Sequence, residues 1–210
     1  MPPLHSLVIA ITDLGESSVL LSTVIAACGW FWLNHQRHLA HLWLLAAGGC
    51  AVTMLVLKLG FLSCGQFVPG AMVLTPSGHS AMSALFYGAA ALTIGKLSAR
   101  AARHPLLLRS IGLALPLAIG ATRVVVHAHT PQEVAIGLAV GFAWRILFAR
   151  QLPTTEASAP QPPAAVLGLL GLLYGGLLAV TMTGEHMTVE SLLYRVADAV
   201  HVHWGVCTGG

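Results

Sequence analysis

The chain has 210 residues, 56% of them apolar and only 8% charged, with a formal net charge of +3 at pH 7 and a mean hydropathy of +0.80. Soluble domains carry about 25% charged residues, so an ordinary hydrated surface cannot be built here, and both a soluble globular domain and a disordered chain are excluded. The positive charge is too small and dispersed to point to a nucleic-acid partner, while the apolar residues come in long runs, as in a polytopic membrane protein surrounded by membrane lipids.

At the N-terminus a brief apolar run over 7–11 has no Lys or Arg before it, which argues against a cleaved secretory signal and for a short helix at the interface. A hydrocarbon core about 30 Å thick needs roughly 17–25 helical residues. Six segments meet that length or approach it, at about 17–33, 39–63, 79–97, 106–126, 131–149 and 164–182. The connections are polar or rich in breakers, and 151–163, with Pro153, Pro160, Pro162 and Pro163, reads as a flexible linker. The polar tail, 183–210, is expected outside the bilayer, with 189–202 as an amphipathic helix on its surface. The expected fold is therefore all-α: a polytopic membrane protein, a single domain over 1–210 folded as a bundle of six transmembrane helices.

Charge placement orients that bundle. Alternate connections share a side. One side holds Arg37, Lys96, Arg100, Arg103, Arg109, Arg145 and Arg150 against Glu156, a balance of +6. The other holds Lys58, Arg123 and Arg195 against Asp13, Glu16, Glu133, Glu185, Glu190 and Asp198, a balance of −3, and the two sides together return the +3 of the whole chain. Cytoplasmic loops carry the Lys and Arg excess. Both termini and the connections 64–78 and 127–130 are thus expected to face the exterior, or the periplasm if the membrane is a bacterial inner membrane. Cys28 and Cys50 read as small packing residues inside spans, whereas Cys64 and Cys207 fall on the outer side, where a disulfide is permitted.

The outer ends of the spans gather the chemistry. Lys58 lies near the end of the second span, Thr75-Pro76-Ser77-Gly78-His79-Ser80 opens the third, Thr122-Arg123 closes the fourth, and His127, His129 and Glu133 bracket the start of the fifth. Arg109 lies fourteen residues before Arg123, about 21 Å along a helix, and belongs to the opposite face. Ionisable residues at membrane depth are costly and mark function. Two cations can neutralise phosphoryl oxygens, and a Ser-Gly pair at a helix start offers N–H groups and a helix dipole to an anion. Two histidines on separate segments permit one nucleophile and one general acid, and a carboxylate four residues from one of them fixes its tautomer. The set suits phosphoryl transfer with no cofactor and no metal.

Pro76-Ser77-Gly78-His79, with Arg123, five residues, His129, three residues and an acid, resembles the type 2 phosphatidic acid phosphatase family, whose signatures are KxxxxxxRP, PSGH and SRxxxxxHxxxD. The resemblance covers roughly residues 50–145. It implies that His129 is the nucleophile that becomes phosphohistidine and that His79 protonates the leaving group. By the same resemblance Lys58, Ser77, Gly78 and Arg123 hold the phosphate, and Glu133 stands where the family has the Asp that orients the nucleophile. Three positions depart from the pattern: Gly65-Gln66 replaces Arg-Pro, so that Gln66 can supply hydrogen bonds but no charge, Thr122 replaces Ser, and Glu133 replaces Asp.

Other readings of the same residues stand beside this one. Thr130-Pro131-Gln132-Glu133 is a capping box with Pro at the first helical position, compatible with the orienting role if the two use different carboxylate oxygens. Arg123 can snorkel to headgroups. His127, two residues from His129, reads as interfacial and outside the site. Gly137-x-x-x-Gly141 and Gly171-x-x-x-Gly175 read as packing sites within one bundle. Glu185, His186, Glu190 and His201-x-His203 are spaced too loosely for a metal and read as solvated surface.

The expected function is hydrolysis of a lipid phosphomonoester or diphosphate, of the polyprenyl diphosphate, phosphatidic acid, phosphatidylglycerophosphate or lipid A type, at the outer membrane–water interface. The alternatives on the same fold are a lipid phosphotransferase and a non-catalytic lipid-binding subunit. Neither the particular lipid nor the oligomeric state is written in the sequence.

Overall fold

A computed structural model describes residues 2–64 and 75–152, together with Gly168, Gly171, Leu172, Gly175 and Gly176. Gln66, the 189–202 tail helix and the Cys64–Cys207 pairing fall outside what it describes, as does most of the predicted sixth span.

Every regular element among the described residues is an α-helix: α1 (Pro2–Asp13), α2 (Ser17–Leu33), α3 (Arg37–Cys64), α4 (Gly78–Leu97), α5 (Ala99–Ala102), α6 (Pro105–Val125) and α7 (Pro131–Gln151). The starts follow from capping chemistry. Ser77 caps α4, Ser98 caps the short α5 inside what was expected to be a plain connection, Pro105 opens α6, and Thr130-Pro131 opens α7.

Two stops are less obvious in the sequence. Both α2 and α6 end in a left-handed residue that is not glycine, His35 at φ 60° and His127 at φ 55°. At the end of α6 the His127 N–H donates to the Val124 carbonyl at 3.0 Å, and the Ala128 N–H donates to the Arg123 carbonyl at 3.0 Å. This crossed pair is a Schellman motif. The same pattern closes α2, where the Gln36 N–H reaches the Phe31 carbonyl at 2.8 Å.

Helices α3, α6 and α7 are each long and apolar enough to cross a membrane, and α1 with α2 passes the same test as a pair bent by 45°. Three to four candidate spans are thus seen among the described residues, fewer than the six expected. The reasons are physical. With 17 residues α2 is short on its own. The sequence of α4 is diluted by Gly, Ala, Ser and Thr because α4 is the centre of the bundle: it packs on α7, α6, α3 and α2, and twelve of its twenty residues are buried. A helix enclosed by protein gains more from small residues than from lipophilic ones.

Close packing among α4, α6 and α7 uses glycines. A Cβ at Gly137 or Gly141 of α7 would collide with the backbone oxygens of Ser77 and Ala81, and one at Gly120 of α6 would meet Val134 at 2.8 Å. The predicted glycine pair of α7 is therefore a seam inside one bundle. Deeper in, Trp43 of α3 packs at a tilt against Phe86 of α4 and edge-on against Phe148 of α7, with ring centroids 5.7 and 5.2 Å apart. The five described residues within 164–182 are helical, and Gly168 lies beside Trp30 while Gly176 lies beside Thr23. At those residues the chain runs antiparallel to α2.

Candidate active site

The site is organised by Glu133, in the first turn of α7 and only 4% exposed. Its Oε1 accepts the Thr75 N–H at 2.9 Å. Its Oε2 accepts the Thr130 N–H at 3.0 Å and lies 2.9 Å from Nδ1 of His129. Thr130 answers by accepting the Glu133 N–H at 3.3 Å, which completes the capping box. Different carboxylate oxygens were one way for capping and histidine orientation to coexist. Both use Oε2, because Oε1 is committed to the segment that leads into α4. The added methylene of Glu over Asp gives the carboxylate the reach to serve both segments.

Thr75, Pro76 and Ser77 are buried. The Ser77 N–H donates to the Glu133 carbonyl at 3.0 Å, and the Ser77 hydroxyl oxygen accepts from the Ser80 N–H and hydroxyl. Ser77 is thus engaged as a cap and as a tie to α7. The first intrahelical bond of α4 runs from the Ala81 N–H to the Ser77 carbonyl, so the N–H groups of Gly78 and His79 lie in the turn where a helix offers donors and a positive dipole end. Lys58 of α3 comes to this turn. Its Cε and Nζ lie 3.9 Å from where a Gly78 Cβ would stand, and the residue is 8% exposed. The Schellman turn after α6 joins Arg123 to His129, whose N–H donates to the Arg123 carbonyl at 3.2 Å. His127, at the turn's left-handed position, is exposed.

The second histidine has a partner that no spacing rule announced. Nε2 of His79 lies 2.8 Å from Oε2 of Glu16, in the link between α1 and α2. That hydrogen bond, with help from the imidazole's charge, holds the Glu16 carboxyl below its ordinary range against the opposing effect of burial. The one available signal was the charge count, which put Glu16 on the same side as His79. The site therefore contains two carboxylate–imidazole pairs, Glu133 on Nδ1 of His129 and Glu16 on Nε2 of His79. Lys58, Ser77, Gly78, His79, Arg123, His129 and Glu133 come together at one end of the bundle.

Apolar helices wrapped around a polar, histidine-bearing end define the class: this is a helical membrane protein. Residues 61–156 match the model of the PAP2 superfamily. Members of that superfamily are generally phosphatases, and the match supports a fold of the phosphatase type. The chain is also similar to an "Uncharacterized 22.5 kDa protein in cps region" of Klebsiella pneumoniae, 29% identical over 90% of each chain. No solved structure matches the chain.

Proposed function

We propose that the protein is a membrane lipid-phosphate phosphatase working through a phosphohistidine on His129. The observation that carries the reading is the buried His129–Glu133 pair, joined through Thr75 and Ser77 to the first turn of α4. With Nδ1 of His129 held by the carboxylate, Nε2 is the nitrogen directed to chemistry.

In the proposed cycle the phosphoryl group of a lipid monophosphate or diphosphate sits against the first turn of α4. Lys58 and Arg123 offset its charge, and the Gly78 N–H donates to an oxygen. Nε2 of His129 attacks the terminal phosphorus, and its P–O bond to the lipid alcohol, or in a diphosphate its bridging P–O bond to the lipid monophosphate, breaks. The leaving oxygen keeps the bonding pair and takes a proton from His79. Glu133 stabilises the positive charge that develops on His129. Water then attacks the phosphohistidine and gives its proton to His79, and the P–N bond breaks with its pair returning to His129. A general acid of this kind is worth about 10²–10⁴ in rate.

The same reading takes the chain as a six-span bundle of a bacterial inner membrane, with the site and both termini on the outer face, as the charge asymmetry supports. Substrates of the polyprenyl diphosphate, phosphatidic acid, phosphatidylglycerophosphate and lipid A type all present the phosphate at that interface. The test is a panel of these lipids assayed in detergent without divalent metal, for wild type, His129→Ala and His79→Ala. Phosphate release from at least one lipid, abolished in both variants, is the expected result. Wild-type turnover in both variants overturns the reading.

A further inference from the structure

We propose that Glu16 is the positioning residue of His79: it holds the Nε2 side of the imidazole, so that Nδ1 presents the proton to the leaving oxygen. The proposal rests on the phosphatase reading and extends it to a residue outside the matched segment 61–156.

The geometry is specific. Glu16 occupies the N-cap position of α2, where a side chain ordinarily bonds the first-turn N–H groups, yet its approach to the Ser18 N–H falls short of a cap hydrogen bond and acts on its carboxyl far less than His79 does. Its carboxylate crosses instead to α4, with Oε2 at 2.8 Å from the imidazole, while Oε1 takes a long 3.4 Å contact from the Ser18 hydroxyl. The link that carries it is pinned from two sides. The Tyr87 hydroxyl of α4 donates to the Leu14 carbonyl at 2.8 Å. Gly15 sits so close to α6 that a Cβ there would collide with Ile119. Glu16 is thus aimed at His79 by contacts with the same two helices, α4 and α6, that carry His79 and Arg123.

The two pairs are complementary in chemistry. Glu133 takes Nδ1 of His129 and directs Nε2 to phosphorus. Glu16 takes Nε2 of His79 and directs Nδ1 to the departing oxygen. An imidazolium that gives up Nδ1–H keeps its Nε2–H on the carboxylate, so one tautomer is delivered and the same nitrogen is ready to take the proton of the attacking water. Partners that orient a functional histidine in this way are typically worth 10–100-fold.

The leaving group separates positioning from mere support. An alkoxide needs the proton from His79, whereas p-nitrophenolate leaves without it. Wild type, Glu16→Gln and His129→Ala are assayed in detergent on decyl phosphate and on p-nitrophenyl phosphate. Glu16→Gln should lower kcat on decyl phosphate by about 10–100-fold with KM within about threefold, and lower it far less on p-nitrophenyl phosphate. Glu16→Asp, which keeps the charge, should recover part of the loss. Equal loss on both substrates, or none on either, overturns the role of Glu16 while leaving His129 as nucleophile if His129→Ala is inactive. Full activity of His129→Ala overturns the phosphatase reading itself and this role with it. If Glu16→Gln does not fold, the Glu16→Asp comparison decides: a loss confined to decyl phosphate supports positioning, and an even loss refutes it.

Discussion

The Thr75 N–H donates to Oε1 of Glu133 across 58 positions of sequence, at 2.9 Å. This bond makes the carboxylate a structural tie as well as a partner of His129, because one side chain then holds the entry to α4, the start of α7 and the proposed nucleophile.

Glu133→Ala should therefore damage stability and activity together. It leaves the Thr75 and Thr130 N–H groups without their acceptor in a buried setting, a cost of about 2–4 kcal/mol. Thermal unfolding in detergent should show a clear drop. Glu133→Gln keeps one acceptor oxygen, and it should lose more activity than stability.

The approach of α7 to α4 gives a sharper contrast. Gly137→Ala and Gly141→Ala drive a methyl into the backbone oxygens of Ser77 and Ala81, which cannot swing aside. Each should cost about 1–3 kcal/mol or more and displace the first turn of α4. Gly29→Ala and Gly48→Ala meet nothing within 4 Å among the described residues, and each should gain about 0.5–1 kcal/mol from helix propensity. Unfolding measured on the four variants side by side checks the packing directly.

His127 is a turn residue. Its φ of 55° is strained for any side chain, and relief by glycine at such a position is worth about 1 kcal/mol. His127→Gly should unfold at or above the wild-type temperature and retain phosphate release. A loss of activity comparable to that of His129→Ala would give His127 a chemical role.

The Glu16–His79 pair sets a pH window for stability. The folded-state pKa of Glu16 is lowered, chiefly by the hydrogen bond from His79. Its stabilising effect is therefore fully present above the ordinary value of 4.5 and is lost as pH falls through the depressed folded value. Wild type should unfold at a higher temperature than Glu16→Gln at pH 5–6, with the gap narrowing only below about pH 4.5. A gap that closes between pH 6 and 5 would mean that Glu16 titrates higher than its geometry implies.

The sequence made the helices legible because runs of apolar length, Pro at first turns and Ser or Thr caps all point the same way. Polarity placed these two helix ends at 33 and 126, against Leu33 and Val125 in the structure, but the left-handed His35 and His127 that stop them carry no glycine to mark them. Lys58, His79, Arg123, His129 and Glu133 were singled out by spacing and common depth. Glu16 was not, since its relation to His79 is purely tertiary and its sequence neighbours suggest only a helix start. The centrality of α4 was likewise hidden, because small residues lower hydropathy for the reason that makes them good at a helix–helix seam. The shared use of Oε2 in Glu133 depended on Thr75, a contact no local pattern encodes.

The most direct measurement is capture of the covalent intermediate. Wild type mixed with a phosphate-labelled lipid and quenched within milliseconds should carry acid-labile label on the peptide that contains His129, absent from His129→Ala. His79→Ala should carry label only when the leaving group departs without a proton. Lipid turnover by wild type with no labelled His129 peptide at any quench time, or label retained in His129→Ala, would contradict the account.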